Sequence, residues 1–295
     1  MEVDKKPKVS VIMNCFNSSL YLKEAIDSVL AQTFNNWELI FWDNQSTDES
    51  SLIFKSYTDP RFRYFYANEH TSLGLARNLA AKNAYGEWIG FLDCDDIWIN
   101  DKLEKQVEII NQSNDDSLSL IYGRVLNFSN EGKTYHLLTK NILPEGDIFG
   151  ELSINNFIPV SSALVKTEKY WKVGGINSDF KQAEDYDLFI KISYYYSAKV
   201  VDQVIAKYRI HSNNLSLFQK DLTYTESIEI LLDYLPDPRA KIGLRFWTSL
   251  YFLFSIKRLK IKKAALIYFL KYGSFREMII LIVRFYKAKT KNRDL

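Results

Sequence analysis

The sequence predicts an α/β fold in which a mainly parallel sheet is flanked by helices and followed by a C-terminal helical segment. Between residues 9 and 92, short apolar runs alternate with segments of helical periodicity, an order typical of parallel sheets. Beyond residue 238 the chain changes to apolar aromatic blocks separated by Lys and Arg clusters. A length of 295 residues, 47% of them hydrophobic, suffices for a large core and excludes a disordered chain.

The alternation starts with a strand over residues 9–13, and Asn17 and Ser18 are candidate N-caps of the helix that follows. A second strand spans residues 37–42. The segment from Ser46 to Glu49 has the Ser-x-x-Glu form of a capping box and predicts the start of another helix. The remaining predictions are strands over residues 62–66, 88–92, 118–128 and 159–166, and helices over residues 73–84 and 186–197.

The formal net charge of +2 is the sum of two oppositely charged parts. From Ala240 onward, fourteen Lys and Arg residues stand against Glu277 and Asp294, a net of +12, which leaves −10 for the first 239 residues. We place a boundary near residue 220, between a domain over residues 1–220 and a helical, basic and aromatic region over residues 221–295.

The cysteine content and the absence of long apolar runs predict a cytoplasmic protein. Cys15 and Cys94 are too few for a disulfide framework, which favours a reducing compartment. The N-terminus lacks the apolar stretch of a signal peptide, and no run of about eighteen apolar residues predicts a spanning helix. Peripheral attachment to the cytoplasmic face of the membrane stays open as an alternative.

Polar clusters at residues 14–17, 43–46 and 93–96 follow three of the predicted strands. Ligands of open parallel sheets bind beyond the carboxyl ends of the strands, so these clusters are expected to line one pocket. The sequence has no Gly-x-Gly-x-x-Gly after the first strand and no Gly-x-x-x-x-Gly-Lys-Ser/Thr, which excludes those two phosphate cradles. Bound phosphates would then need a cation, and the clustered Asp side chains predict Mn²⁺ or Mg²⁺.

The segment Asp93-Cys94-Asp95-Asp96 places three acids in four residues at the tip of an apolar strand. Because these carboxylates repel one another, a bound cation would stabilise them. The structural alternative is a solvated turn in which Asp96 caps the following residues. The position beside the predicted pocket, with Asp43 at a matching edge, favours the metal site.

Six segments in order resemble the family 2 glycosyltransferases, which have the Rossmann-like GT-A fold. They are residues 9–17, 42–48, 74–78 and 91–96, then Glu184 to Leu188, then Tyr208-Arg209-Ile210-His211 with Asn214 and Ser216. The resemblance covers about residues 8–218 and implies that residues 1–220 form a catalytic domain that binds a nucleotide sugar. One departure is Asn14-Cys15-Phe16-Asn17, where the family commonly has Pro-Thr/Ala-Tyr-Asn.

The resemblance also implies which residues bind the donor. Asp43 would hydrogen-bond the nucleobase, Arg77 would lie near the base and phosphates, and Asp93 would face the ribose or the hydrated metal. The full set implied for the nucleotide sugar is Asn14, Cys15, Phe16, Asn17, Asp43, Asn44, Arg77, Asp93 and Cys94.

The metal and the acceptor have their own implied residues. Asp95 would bind the cation that bridges the diphosphate, with His211 completing the shell. Asp185 would be the general base, and Glu184 would shape the acceptor pocket. The structural alternatives are an acidic first helical turn for Glu184 and Asp185, and a non-ligand role for His211.

The basic region has three interpretations. Apolar blocks over residues 242–256, 264–270 and 278–286 are interleaved with cations that include Arg258 and Lys260. Such a pattern suits a helix in the membrane interface. A helical bundle that packs on the catalytic domain or on a second subunit fits it equally, and no nucleic-acid partner is expected.

The resulting hypothesis is a metal-dependent, inverting glycosyltransferase. It would move a sugar from a nucleotide diphosphate donor, a UDP-sugar in our expectation, to a hydroxyl of a glycan or lipid-linked glycan during surface polysaccharide synthesis. The alternatives are a nucleotidyltransferase of related fold and a non-catalytic nucleotide- or carbohydrate-binding protein. The chain lacks the Gln-x-x-Arg-Trp motif of processive synthases, which favours transfer of single sugars.

Overall fold

The computed structural model describes residues 6–129, 134–137, 142–212, 214, 219–257 and 262–291. It divides into two compact units, one formed by Met1–Ile148 with Phe157–Asn214 and one by Phe149–Asn156 with Leu215–Leu295. Four residues named in the sequence analysis, Ser216, Arg258, Lys260 and Asp294, lie outside the described residues.

The first unit is built on one sheet, to which the described residues contribute nine strands. They are β1 (Val9–Cys15), β2 (Trp37–Asp43), β3 (Phe62–Tyr66), β4 (Trp88–Phe91), β5 (Ile97–Trp98), β6 (Leu118–Ser129), β7 (Thr134–Leu137), β8 (Leu164–Lys166) and β9 (Ser197–Ile210). The strand order is β3-β2-β1-β4-β8-β6-β9-β5, and β7 pairs with β6. The predicted α/β fold is therefore confirmed.

The helices of the first unit are α1 (Ser19–Leu30), α2 (Ser50–Lys55), α3 (Leu73–Ala81), α4 (Lys102–Gln112), α6 (Thr167–Lys172) and α7 (Glu184–Tyr195). In β1, Val9, Val11 and Met13 are fully buried in the core to which Leu22 and Ile26 of α1 belong. These alternating β1 positions form one face of the strand, and α1 covers it because its apolar residues recur with helical spacing.

The sheet is parallel only in part. Strands β3, β2, β1 and β4 run parallel, as predicted, and β6 also pairs in parallel with β9. Strand β8 is antiparallel to both β4 and β6, and β5 and β7 add antiparallel pairs. The short segments between residues 118 and 210 therefore turn a parallel sheet into a mixed one.

The predicted capping box of α2 was wrong. Helix α2 begins at Ser50, with Glu49 at the N-cap, and Ser46 Oγ instead accepts a hydrogen bond from Asn17 N at 3.1 Å. The carboxylate of Asp48 accepts from Ser50 N at 3.0 Å and from Ser19 N at 2.9 Å. One carboxylate thus serves the first turns of two helices, which lowers the pKa of Asp48 to about 2 although partial burial opposes the shift.

Two other element predictions differ from the structure. Ser18 occupies the N-cap of α1, but its hydroxyl donates to Phe16 O at 3.2 Å and caps no helix amide. The strand predicted over residues 159–166 is a 3₁₀ turn, Val160–Ser162, followed by β8. Pro159 precedes that turn, and the hydroxyl of Ser162 donates to the Pro159 carbonyl oxygen at 2.8 Å.

The second unit consists of helices α5 (Phe149–Ile154), α8 (Lys220–Leu232), α9 (Pro238–Lys257), α10 (Lys263–Tyr272) and α11 (Phe275–Lys291). Helix α9 contacts each of the other four. Its Trp247 is buried, and the indole nitrogen donates to Ser153 O of α5 at 2.9 Å. Within the described residues, every helix is too short or too polar to cross a bilayer.

Candidate active site

The loops that follow β1 and β2 are held together by Asn17. This residue adopts a φ of 49°, and its side-chain oxygen accepts hydrogen bonds from Thr47 N at 2.8 Å and from Thr47 Oγ1 at 3.3 Å. Asn tolerates the left-handed region better than most residues. Asn17 therefore fixes the shape of the edge at which a nucleoside is expected.

Asp43, at the end of β2, is completely buried and already accepts two hydrogen bonds. Its Oδ1 accepts from Ser46 N and its Oδ2 accepts from Tyr64 OH, both at 2.7 Å. Burial and the contact with Asp43 raise the pKa of Tyr64 to about 12. Ser46 belongs to the polar cluster over residues 43–46 that the sequence placed at the pocket, whereas no role for Tyr64 was predicted from the sequence.

Phe16 and Asn44 lie on the same edge of the sheet. The Phe16 ring is 48% exposed, and its centroid is 4.2 Å from that of His70. The Asn44 amide group donates to Thr71 O at 2.9 Å and accepts from Thr71 N at 3.2 Å, so this side chain ties two loops together. His70 joins them, because its Nδ1 lies 2.9 Å from the Asn44 carbonyl oxygen.

Asn14, Cys15 and Cys94 connect this edge to the acidic loop after β4. The Cys94 thiol donates to the Asn14 carbonyl oxygen at 3.1 Å, and both cysteines are buried as free thiols. A hydrogen bond from Cys94 lowers the pKa of Cys15 to about 7. Among the residues that the structure describes, the buried side-chain amide of Asn14 has no hydrogen-bond partner, so its donor and its acceptor are unused there.

Arg77 joins Asp93 to Glu184 inside the protein. Its side chain is 3% exposed, and its two terminal nitrogens lie 2.7 Å from Asp93 Oδ1 and 3.1 Å from Glu184 Oε1. Against the cost of burial, these two carboxylates raise the pKa of Arg77. Arg77 comes from α3, Asp93 follows β4 and Glu184 opens α7, so one guanidinium fixes three elements relative to one another.

Asp185 is the next residue of α7 after Glu184. It is only partly exposed, and burial together with the neighbouring Glu184 raises its pKa to about 7. Within the part of the chain that the structure describes, its carboxylate accepts one hydrogen bond, from Tyr186 N at 2.6 Å. A carboxylate with this pKa can take up a proton near neutral pH, as a general base must.

Asp95 and His211 form a second pair, and Arg209 holds the loop that carries Asp95. His211 Nε2 lies 2.9 Å from Asp95 Oδ2, while Arg209 Nε donates to the Asp95 carbonyl oxygen at 2.8 Å. Arg209 also reaches Glu24 on α1 at 2.9 Å. The long strand β9 therefore positions His211 against the acidic loop.

The Asp95–His211 pair fits a divalent cation that arrives with a diphosphate. Among the described residues, no cluster of three or more His, Cys, Asp or Glu side chains could enclose a metal ion. The Asp95 carboxylate suits Mg²⁺ or Mn²⁺ when phosphate oxygens and water complete the shell, and the His211 imidazole would favour Mn²⁺ over Mg²⁺. Burial and repulsion from Asp93 raise the pKa of Asp95, as expected for a carboxylate that lacks a full counter-charge.

The Asp96 side chain anchors the acidic loop after β4 through two hydrogen bonds. It is buried, its Oδ1 accepts from Arg209 N at 3.1 Å, and its Oδ2 accepts from Ser161 Oγ at 2.5 Å. Ser161 in turn accepts a hydrogen bond at its carbonyl oxygen from the Trp98 indole at 2.8 Å. The sequence alternatives for Asp96 did not include this role, and Ser161 carried no recognisable signal.

The site residues expected from the sequence thus fall into two groups, one around Asp43 and one around Asp93, Asp95 and Asp185. Within the described residues, no hydrogen bond or ion pair links Asp43 directly to Asp95 or Asp185. The contact between Cys94 and Asn14 bridges the two groups through the backbone.

Comparisons with known sequences agree with this architecture. The model of the family described as Glycosyl transferase family 2 matches residues 10–174, more than half of the chain. An uncharacterized glycosyltransferase of Rickettsia conorii is 32% identical over 228 residues, which cover 76% of this chain and 37% of the relative's length. The Escherichia coli UDP-Glc:alpha-D-GlcNAc-diphosphoundecaprenol beta-1,3-glucosyltransferase WfgD is 28% identical over 252 residues, 85% of this chain and 94% of WfgD.

Two solved structures resemble the fold. Residues 1–349 of S. aureus TarS, in complex with UDP, match with a TM-score of 0.67 and 21% identity over 87% of this chain and 76% of that one. The mannosyltransferase PcManGT from Pyrobaculum calidifontis, in complex with GDP-Man and Mn²⁺, matches with a TM-score of 0.63 and 18% identity over 97% and 81%. These likenesses confirm the expected GT-A type of fold, and the family match shows that the chain belongs to glycosyl transferase family 2.

Proposed function

We propose that this protein transfers a sugar from a nucleotide diphosphate donor to an acceptor hydroxyl, with inversion at the anomeric carbon. The observation that carries the proposal is the Arg77 bridge. It ties Asp93, on the expected donor side, to Glu184, which directly precedes the expected base Asp185. The buried Arg77 guanidinium therefore fixes a residue proposed for the donor side relative to one proposed for the acceptor side.

Asp185 is proposed as the general base. A sugar hydroxyl is a weak nucleophile, and removal of its proton during attack contributes roughly 10²- to 10⁴-fold to the rate. A base with a pKa of about 7 is largely ionised at slightly alkaline pH and still basic enough to accept that proton. Glu184, held by Arg77, would shape the pocket in which the acceptor hydroxyl meets Asp185.

The reaction that follows is a single displacement. The acceptor oxygen forms a bond to the anomeric carbon as the bond to the diphosphate oxygen breaks, and Asp185 receives the hydroxyl proton. One attack from the face opposite the leaving group inverts the configuration. The acceptor hydroxyl is the only nucleophile in this reaction. The enzyme supplies a base, Asp185, and forms no covalent bond to the sugar.

The leaving diphosphate accumulates negative charge, and Asp95 with His211 would hold the divalent cation beside it. Bound there, Mn²⁺ or Mg²⁺ would supply Lewis-acid stabilisation of that charge. The Mn²⁺ in the PcManGT complex supports a divalent cation as part of the proposed reaction. Asp96 and Arg209 would keep Asp95 in place while the diphosphate departs.

The names of relatives guide the choice of substrates. WfgD is named for UDP-Glc and a diphosphoundecaprenol-linked acceptor, and TarS was solved with UDP. We therefore propose a UDP-sugar donor and a glycan or lipid-linked glycan acceptor in surface polysaccharide synthesis. Asp43, Tyr64 and the exposed Phe16 ring would form the uridine side of the pocket.

The test replaces the proposed base while retaining its shape. We expect Asp185→Asn to lower kcat/KM for UDP formation by about 10²- to 10⁴-fold with little effect on donor binding. Asp116→Asn, in an exposed turn before β6, is the matched control and should behave like wild type. Donors are chosen first by thermal shift of the wild type with a panel of nucleotide sugars and Mn²⁺.

The products separate the proposal from its alternatives. Release of nucleoside diphosphate together with a new glycoside supports the transferase. Release of inorganic diphosphate from a nucleoside triphosphate supplied together with a sugar 1-phosphate would identify a nucleotidyltransferase. Binding of the nucleotide sugar with no turnover under any acceptor would identify a binding protein. Equal turnover by Asp185→Asn and wild type would exclude Asp185 as the base.

A further inference from the structure

Helix α10 of the second unit has two apolar sides, of which the packing uses one. Ala265 and Phe269 are buried, and the Phe269 ring stacks on Phe252 of α9 with centroids 4.4 Å apart. Leu266, Ile267 and Leu270 lie on the opposite side and are exposed, Leu270 by 74%. Spacings of three and four residues place these side chains on one face of the helix.

Helix α11 repeats this arrangement. Leu281 is buried, whereas Phe275, Ile279, Ile282 and Val283 are exposed, Phe275 by 68% and Ile279 by 60%. Their spacing of four, three and one residues forms a continuous stripe along the helix. The two helices therefore carry one exposed apolar stripe each, and we use the name apolar face for both stripes taken together: Leu266, Ile267, Leu270, Phe275, Ile279, Ile282 and Val283.

The apolar face takes six of its seven residues from the apolar blocks predicted over residues 264–270 and 278–286, but it leaves out the predicted block over residues 242–256. The aromatic side chains of α9, Trp247 and Tyr251, are buried in the second unit and are unavailable to a partner. Exposed single apolar residues are common on proteins, but seven at helical spacing on two successive helices are not. The exposed apolar side chains of α10 and α11 are therefore mainly aliphatic.

The charged residues around the apolar face are mostly cations. Lys263, Lys271 and Arg276 are exposed, and Lys262 is half-exposed and pairs with Asp221 at 2.8 Å. Glu277 is the one acid between residues 262 and 283. Set against Asp221 and Glu277, these four cations leave the rim of the apolar face with a net positive charge.

The positive charge around the apolar face distinguishes two candidate binding partners, a second copy of the chain and an anionic lipid bilayer. A second copy of the chain, docked by a twofold axis, would bring two positive rims together, which costs free energy. An anionic bilayer surface attracts each nearby Lys or Arg and accepts the aliphatic and Phe side chains at the boundary between headgroups and acyl chains. Helices with apolar stripes and flanking cations are typical of that location.

We propose that the apolar face of α10 and α11 docks on the surface of an anionic lipid bilayer, with both helices lying in the interface. This inference goes beyond the transfer reaction and holds whether or not the chain is an active transferase. It requires no spanning helix, in agreement with the described helices.

The test is co-sedimentation of the full chain with phosphatidylcholine vesicles that contain or lack phosphatidylserine. An apolar variant combines Leu270→Gln, Phe275→Gln and Ile279→Gln, and a charge variant combines Lys263→Gln, Lys271→Gln and Arg276→Gln. Leu52→Gln is the matched control, because Leu52 of α2 is 71% exposed and lies in the other unit. Circular dichroism and thermal unfolding verify that each variant is folded.

We expect wild type and Leu52→Gln to bind the anionic vesicles equally. The apolar variant should lose about tenfold or more in partition coefficient, and the charge variant should lose the preference for phosphatidylserine. Wild type that stays in the supernatant at low salt, or an apolar variant that binds as wild type does, would overturn the proposal. Sedimentation velocity without lipid provides a further check, since an oligomer that the apolar variant converts to monomer would assign the face to a second copy.

Discussion

Replacement of Arg77 by Met removes one buried charge and keeps most of the side-chain stem. In wild type the guanidinium lies 2.7 Å from Asp93 and 3.1 Å from Glu184, and it is 3% exposed. Arg77→Met leaves Glu184, which is 9% exposed at its side chain, without this counter-charge. The variant therefore tests whether one residue joins the donor side to the acceptor side.

Two effects of known sign follow. Removing one partner of a buried ion pair costs about 3–5 kcal/mol, so the free energy of unfolding should fall by that amount. Arg77 also lowers the pKa of Asp185, which burial and Glu184 raise to about 7. Loss of Arg77 should move the pKa of Asp185 upward, so that the acid limb of the activity profile shifts to higher pH than in wild type.

Urea unfolding at neutral pH measures the first effect, and the pH dependence of kcat/KM measures the second. Lys105→Met is the control, because the Lys105–Asp101 pair is a partly exposed i,i+4 contact of 2.8 Å on α4 and should contribute little. Arg77→Lys should be intermediate, since one ammonium cannot donate to both carboxylates with the geometry of a guanidinium. If Arg77→Met unfolds like the control and keeps the wild-type acid limb, the bridge has no role in positioning Asp185.

Two further predictions concern pH and metal. Because the base must be ionised and burial raises the pKa of Asp185, wild-type kcat/KM should rise with pH through about 7 and level off above it; a pH profile whose only acid limb lies near 4 would contradict a raised pKa. Asp95→Asn should raise the Mn²⁺ concentration required for half-maximal activity by about tenfold or more, measured by metal titration, whereas an unchanged requirement would place the cation elsewhere.

The parallel part of the sheet could be predicted because most of its strands are short apolar runs that end in polar residues. Strands β1, β2 and β4 follow this pattern, and the register of β1 and β2 brings Asp43 next to Cys15. The sequence also placed Asp93, Asp95 and Asp185 correctly at strand or helix ends. The alternation of strands and helices could be predicted because the spacing of apolar residues within each element is visible in a single sequence.

The contacts that organise the site depend on residues far apart in the chain. Arg77 and Glu184 are 107 positions apart, and Asp96 and Arg209 are 113 apart. Ser161 lies in a 3₁₀ turn whose sequence predicts a strand, so its hydroxyl could not be placed against Asp96 in advance. The same limit applies to α5, whose Ser153 packs with α9 although the two segments are remote in sequence.

The stereochemistry of transfer tests the central claim most directly. The donor identified by thermal shift is incubated with acceptor, Mn²⁺ and the wild-type protein, and the anomeric configuration of the glycoside is determined by NMR from the one-bond carbon–proton and vicinal proton couplings. A base at Asp185 acting in a single displacement predicts that an α-linked donor gives a β-linked product. A product that retains the donor's configuration would contradict the mechanism and the role assigned to Asp185.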